Sequence, residues 1–170
     1  MMDTITAIKT RRSIRKFSQT TISEETIDEW LRCGMQAPSA GNQQPWHFIV
    51  IKDTETLKEI PRFHAHAQML TDAACAILIC FQTSLEKHQG MAVQDCSAAT
   101  QNILLAIHDH GYGAVWLGVY PREQRMKGLI ELLKIPDGII PFSLIAIGKP
   151  DERKDTVDRY QPNRVHQEKW

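Results

Sequence analysis

The sequence predicts a mixed fold in which helices pack on a sheet, and three observations carry that reading. Short apolar runs bounded by turn residues alternate with amphipathic stretches along the chain. At the centre, from Met91 to Gly118, a long and almost uncharged helix stops at a glycine and runs straight into a short apolar strand. The length, 170 residues, suits one domain that buries about two thirds of its unfolded surface. Alternation by rule suggests a parallel, doubly wound sheet. Against that, no GxGxxG links a first strand to a helix, no GxxxxGK[ST] occurs, and two helices precede the first strand. Pattern alone leaves the strand direction open.

The central helix is the element around which the rest is arranged. Ala92, Val93, Cys96, Ala99, Ile103, Ala106 and Ile107 recur at helical spacing, and Ala98, Leu104 and Leu105 make the opposite side apolar too. Such a helix is buried on more than one side. Its length of about twenty residues, roughly 30 Å, spans a small domain, so it threads the core or lies between subunits. Gly111 fits a left-handed C-cap. Gly118, inside the strand Ala114 to Tyr120, marks a place where backbone approaches something closely.

The other elements follow in order. Thr4 to Thr10 is a short amphipathic helix with Ile5 and Ile8 on one side. Ser23 caps a second helix, with Glu24 and Glu25 meeting the positive end of its dipole. Ile27, Trp30, Leu31 and Met35 form its buried face, and it ends at Ala37 before Pro38. Pro38 to Trp46, PSAGNQQPW, is a fixed loop rich in hydrogen-bonding groups. His47 to Ile51 is a continuous apolar strand expected to be buried on both faces. Asp53 caps a helical turn reaching Ile60, Arg62 to Leu70 reads as helical, and Ala73 to Phe81 is a second buried strand. Ser84 to Gly90 is a polar loop, Pro121 opens a helix at its first position, and Ile139 to Gly148 is the last strand. Half the residues of Asp151 to Trp170 are charged, too many for a core, but Val157, Tyr160, Val165 and Trp170 are spaced as single anchors over another surface.

Composition excludes several function classes. Twenty basic and twenty acidic residues balance, so no global field draws the protein to nucleic acid or anionic membrane. No run has signal-peptide or membrane-spanning length, and the expectation is a soluble, cytoplasmic protein. The cysteines Cys33, Cys75, Cys80 and Cys96 sit in apolar stretches without a CxxC pair and read as reduced buried thiols. His64/His66 and His108/His110 lie in segments read as helical, where positions i and i+2 point about 200° apart, so no metal site is expected and the histidines are taken as exposed or capping. No triad or nucleophile elbow occurs. An enzyme built from this chain would rely on a bound cofactor.

One local cluster stands out against the neutral background. Arg11, Arg12, Ser13 and Arg15 in RRSIRKF offer guanidinium forks and a hydroxyl suited to phosphate oxygens, though a solvated basic turn fits the same residues.

RRSIRKF, PSAGNQQPW, QDCSAATQNILLAIHDHGYGAVWLGVYP and NRVHQEKW, in this order and spacing over nearly the whole chain, resemble the nitroreductase family of FMN-dependent oxidoreductases. The resemblance implies an α+β fold with a mainly antiparallel sheet flanked by helices, residues 1–170 forming one FMN-binding domain. It further implies an intertwined homodimer whose long helices pack together and whose tails, 151–170, wrap the partner. In that scheme Arg11 and Ser13 hold the FMN phosphate with Arg12 beside them, and Arg15 faces the pyrimidine edge of the flavin. Pro38, Ser39, Ala40 and Asn42 reach the ring from the other subunit. Trp116, Leu117 and Gly118 line it, and Arg164 closes the phosphate. No side chain is expected to be catalytic in its own right.

The activity so implied is ping-pong hydride transfer from NADH or NADPH through FMN to a nitroaromatic, quinone or similar small acceptor. A flavin-fragmenting or reductively dehalogenating enzyme on the same fold, or a non-catalytic FMN-binding protein, are the alternatives. The chain is shorter than larger family members, so the roof of the site is expected from some of Pro61–Leu70, Ser84–Met91 and Pro121–Arg125.

Overall fold

A computed structural model of the chain describes residues 2–170. Helix α1 (Thr4–Thr10) is capped by Asp3, whose carboxylate accepts the Thr6 N–H at 3.1 Å. Strand β1 (Phe17–Ser18) leads to α2 (Glu24–Met35), where Ser23 Oγ accepts the Thr26 N–H at 3.2 Å. Next come β2 (Trp46–Ile51) and α3 (Thr54–Glu59), the latter capped by Asp53, then β3 (Cys75–Gln82). The chain continues through α4 (Ala92–Asp109), β4 (Gly113–Gly118), α5 (Glu123–Leu133) and β5 (Ile139–Pro150). Gly111, at φ 78°, closes α4 in the left-handed conformation its sequence position predicted.

The sheet is antiparallel in every strand pair and β5 is its hub. Three of the other four strands pair with β5, and β2 completes the sheet by pairing with β3. The fold is the α+β arrangement implied by the resemblance, and the parallel reading that alternation alone suggested does not hold.

Period-two alternation gives each sheet face its own core. Cys75, Ile77, Ile79 and Phe81 face α2 and α4 together with Ile145 and Ile147, packing on Trp30, Cys96, Ile103 and Ile107. Ala76, Leu78 and Cys80 face the other way with Leu144 and Ala146, against Leu57, Ile60, Leu70 and Leu129. β3 is therefore buried on both faces. A fully buried Leu or Ile in such a core is worth about 2–5 kcal/mol against alanine. Helices α2 and α4 meet closely because Gly34 has no side chain: a Cβ there would lie 2.8 Å from Ile103.

Five readings need correction. Strand β2 is at the sheet edge, with His47 exposed and Phe48, Ile49 and Val50 only partly buried, because β3 alone pairs with it. Residues 62–70 are not a helix; 3-10 turns at Ile60–Arg62 and Gln68–Thr71 flank an irregular stretch. Helix α5 starts at Glu123, since Arg122 has extended backbone as its N-cap and Pro121 lies before it. Met35 is 48% exposed rather than part of the α2 core. β1, too short to show a period, was missed.

The tail beyond Pro150 is pinned only at its start. Glu152 accepts the N–H groups of Arg15 and Lys16, Lys154 Nζ donates to the Ser13 carbonyl at 2.7 Å, and Arg12 Nε donates to the Asp155 carbonyl at 2.9 Å. Beyond that point the anchors Val157, Tyr160, Val165 and Trp170 are exposed. Among the described residues no helix is long and apolar enough to cross a membrane.

Candidate functional site

A cavity of about 400 Å³ opens where β4 ends, and it gathers side chains distant in sequence. Arg15 comes from the extended segment after α1, Trp116, Leu117 and Gly118 from β4, and Arg125 from the first turns of α5. The irregular stretch after α3 adds His64 and His66. Trp116 is held edge-on against Phe142, with ring centroids 6.1 Å apart. A somewhat larger groove runs along Gln19–Thr21 and Thr71–Ala74, but Asp72 is its one charged side chain, so volume does not mark the chemistry.

The Gly118 carbonyl has two donors. Arg125 Nη1–H reaches it at 2.6 Å and His64 Nε2 at 3.1 Å, which uses both lone pairs of the oxygen. Because a carbonyl only accepts, the proton of His64 sits on Nε2. Its Nδ1 is then a bare acceptor, and it is buried without a partner. Burial, and after it the neighbouring Arg125 charge, hold the His64 pKa below the usual histidine range. A neutral imidazole therefore fixes the end of β4. The expectation of exposed or capping histidines fails here, since His64 is 1% exposed and its segment is not helical.

Gly118 itself has no intramolecular reason to be glycine. Of the nine glycines, four have positive φ, and at four others a Cβ would lie within 3.0 Å of a neighbouring side chain. At Gly118 φ is ordinary and the nearest atom, Arg125 Nη1, would be 4.0 Å from the Cβ. A side chain there would stand in open space at the mouth of the cavity.

The arginine cluster divides. Arg11 lines a second cleft, of about 460 Å³, between α1 and the tail, shared with Lys9, Asp158 and Arg159. Burial first, then Arg159 and Arg12, push the Arg11 pKa down. Arg12 donates to the carbonyls of Lys9, Arg11 and Asp155, which makes it a clip for the tail, and its Nη2 is buried without a partner. Ser13 bridges Ala114 through its backbone, tying this segment to β4.

The loop after α2 is built by a residue that the sequence reading passed over. Asp95, 4% exposed on the first turn of α4, accepts the Ala40 N–H at 3.0 Å and Gln43 Nε2–H at 2.7 Å. Gln43 Oε1 in turn accepts the N–H groups of Lys87 and His88, at 2.9 and 3.0 Å. One carboxylate thus sets two loops, with His88 lying over Gly41.

Within one chain the structure joins Arg15, Trp116, Leu117 and Gly118, and sets Arg11 and Arg12 in the neighbouring cleft. Pro38, Ser39, Ala40 and Asn42 line neither cavity, and Arg164 is exposed in a 3-10 turn of the tail. Of the expected roof segments, residues 64–69 and Arg125 border the β4 cavity, whereas residues 84–91 cover the loop at Gly41. Among the described residues no group of three or more His, Cys, Asp or Glu could hold a metal ion.

Comparison with known proteins agrees with this architecture. A sequence profile of the Nitroreductase family matches residues 8–74 and 61–149. A protein of Methanothermobacter thermautotrophicus, provisionally named NADH dehydrogenase/NAD(P)H nitroreductase, is 52% identical over 99% of this chain and 88% of its own. A Parabacteroides distasonis crystal structure with the same provisional name superposes with a TM-score of 0.94 at 34% identity, covering 100% of both chains. An FMN-dependent nitroreductase of Clostridium difficile R20291 superposes with a TM-score of 0.90 at 30% identity, over 98% of this chain and 99% of the other.

Proposed function

The chain belongs to the Nitroreductase family, and on that premise we propose that it is an NAD(P)H-dependent oxidoreductase that binds FMN in the cavity at the end of β4. The observation that carries this reading is Gly118, a glycine that neither backbone conformation nor packing explains, facing open space beside two arginines. The residues present fit a flavin: a flat aromatic wall, an approachable strand end, and cations at one side. Bound there, FMN supplies a ring that accepts a hydride from NAD(P)H and delivers two electrons to a nitroaromatic, a quinone or a similar small acceptor. Donor and acceptor would occupy the one cavity in turn.

The chain's own residues bind and orient. Arg15 presents a guanidinium to the edge of the ring where negative charge accumulates on reduction, which favours the reduced form. Trp116 and Leu117 support the ring, and Gly118 lets it approach the strand. Arg11 and Ser13, with Arg12 beside them, would take the phosphate, for which the cleft's excess of Lys9, Arg11, Arg12 and Arg159 over Asp158 is suited. Pro38, Ser39, Ala40 and Asn42, set by Asp95 outside the chain's own cavity, reach the flavin of a second subunit. The tail crosses to that subunit and brings Arg164 to its phosphate, which gives the exposed anchors Val157, Tyr160, Val165 and Trp170 a surface to cover. Residues 1–170 then act as one FMN-binding domain within a homodimer.

The test is optical. Purified protein should carry or take up FMN with a flavin spectrum, and NADH or NADPH should bleach it under anaerobic conditions. A protein that takes up no FMN, or holds FMN that neither nucleotide reduces, refutes the proposal.

A further inference from the structure

The β4 cavity holds more positive charge than a flavin requires. Arg15 and Arg125 both line it, His64 and His66 stand beside them, and no carboxylate is among the lining residues. Among the described residues neither arginine forms an ion pair: the five pairs of the chain involve other cations, and Glu152 meets Arg15 only through its backbone N–H. In a chain of net charge zero this is a local excess. If Arg15 answers the flavin, Arg125 is left over.

Arg125 is also placed for a ligand. Nη1 is anchored on the Gly118 carbonyl at 2.6 Å, so the guanidinium is oriented before anything binds, while its other N–H groups have no protein acceptor. The side chain is only partly buried and borders the cavity. His66, exposed and packed edge-on to His64 at a centroid distance of 6.5 Å, extends the same wall. A fixed fork with unused donors, in a pocket without acidic side chains, recognises a carboxylate or another planar anion. Apolar Met69 and Leu117 complete a lining that suits an aromatic body carrying that group.

Building on the function proposed above, we infer that the electron acceptor is an anion, an aromatic nitro compound or quinone bearing a carboxylate, and that Arg125 is the residue that selects it. Arg125 thereby does two things with one side chain: it fixes the end of β4 and would take the acid group of the acceptor. Phosphates of the nicotinamide donor offer the same charge, and the experiment separates the two.

The probe is 4-nitrobenzoate compared with its methyl ester, each kcat/KM with saturating NADH being divided by the rate of the same compound with free reduced FMN. The division removes the greater intrinsic reactivity of the ester. The acid should be preferred about tenfold or more, the scale of one charge-assisted hydrogen bond. Arg125→Gln, which keeps a donor for the Gly118 carbonyl but loses the charge, should reduce the preference by about tenfold, and Arg125→Lys, which keeps the charge but loses the fork, should give a preference between the two. The bleaching rate with NADH is measured separately; a change in it is common to acid and ester and cancels in their ratio. A wild-type ratio at or below one overturns the inference, as does a ratio that Arg125→Gln leaves unchanged. A defect confined to bleaching assigns the corner to the donor and overturns the acceptor assignment. If Arg125→Gln cannot be isolated with flavin, the wild-type ratio and the lysine variant decide. A protein that takes up no FMN removes the parent reading and this inference with it, whereas a yellow, reducible protein without acid preference removes this inference alone.

Discussion

Exchanging the partners of the Asp95–Gln43 pair gives a sharp test of how the two loops are set. Asp95 faces two donors, the Ala40 N–H and the Gln43 side-chain amide, and Gln43 Oε1 faces two more on Lys87 and His88. Asp95→Asn has the same shape but turns one acceptor into an NH2 group. With that NH2 toward Gln43, two donors meet. If Gln43 then flips, its own NH2 confronts Lys87 and His88, so the conflict moves without being relieved. The site is buried, so about 1.5–3 kcal/mol of stability should be lost, the range for a hydrogen bond to a charged group. Gln43→Glu alone sets two carboxylates face to face and should also destabilise. Together the substitutions restore the pattern: the introduced amide donates to the introduced carboxylate, which accepts the N–H groups of Lys87 and His88, while the amide oxygen accepts the N–H of Ala40. Urea unfolding of the four proteins should give a coupling energy of about 2 kcal/mol or more, with the double variant near wild type. FMN affinity, measured by fluorescence titration, should follow the same cycle. Additive losses would refute the reasoning, since the hydrogen-bond directions described here cannot produce them.

Four further outcomes are expected. Gly118→Val should fold with stability within about 0.5 kcal/mol of wild type, because the nearest atom to its Cβ is Arg125 Nη1 at 4.0 Å, but purify with little flavin; a yellow, active variant would return this glycine to the sheet. Arg11→Ala should weaken FMN binding by about 1.5–3 kcal/mol in fluorescence titration, and wild-type affinity would remove Arg11 from the phosphate site. His64 and His108 both have lowered pKa values, burial being the main cause, so below the ordinary value of about 6.5 the unfolded chain takes up more protons than the folded one. Stability should therefore be level above that pH and fall as pH drops from it toward the folded values, with a shallower fall in His64→Gln; thermal melts from pH 8 to 5 that do not change would contradict this. Deleting residues 156–170 keeps the pins at Glu152, Lys154 and Asp155 and should still loosen the dimer and lower FMN affinity together, which sedimentation and titration can check.

Much of the frame was legible because it is written in period and punctuation. The uncharged helix, its glycine stop, the caps Ser23 and Asp53, and the two-faced burial of β3 all follow from side-chain spacing. Strand direction was not, since a period of two is the same for parallel and antiparallel neighbours; the antiparallel order came from resemblance to a family. An apolar run such as Phe48 to Val50 likewise does not tell an edge from a centre. In the site, residue type marked only the arginine cluster and Gly118, whereas the places given to Arg15, Trp116 and Leu117 came from the resemblance to a family. His64 and Arg125 lie in segments expected to roof the site, but their joint hold on the Gly118 carbonyl was missed because a shared carbonyl is invisible along the chain. Asp95 did leave a signal: an acidic residue on an otherwise apolar helix face needs a buried partner, and the polar loop at Gln43 was there to supply it.

The position of β5 as hub has a consequence for the chain while it is being made. β2 and β3 can pair as soon as both have left the ribosome, but β4 has no partner strand until residues 139–150 emerge, and Phe17 must wait for Pro150. Most of the sheet's contacts join distant parts of the chain, an ordering that slows folding. In the finished protein burial raises the thiols of Cys75 and Cys80, on β3, to about 12, which makes them inert. Until both faces of the sheet are covered, Cys75 by α2 and α4 and Cys80 by the core on the opposite side, that protection is absent and both are ordinary, oxidisable cysteines. Resistance to oxidation thus belongs to the packed sheet and not to the strand that carries the thiols.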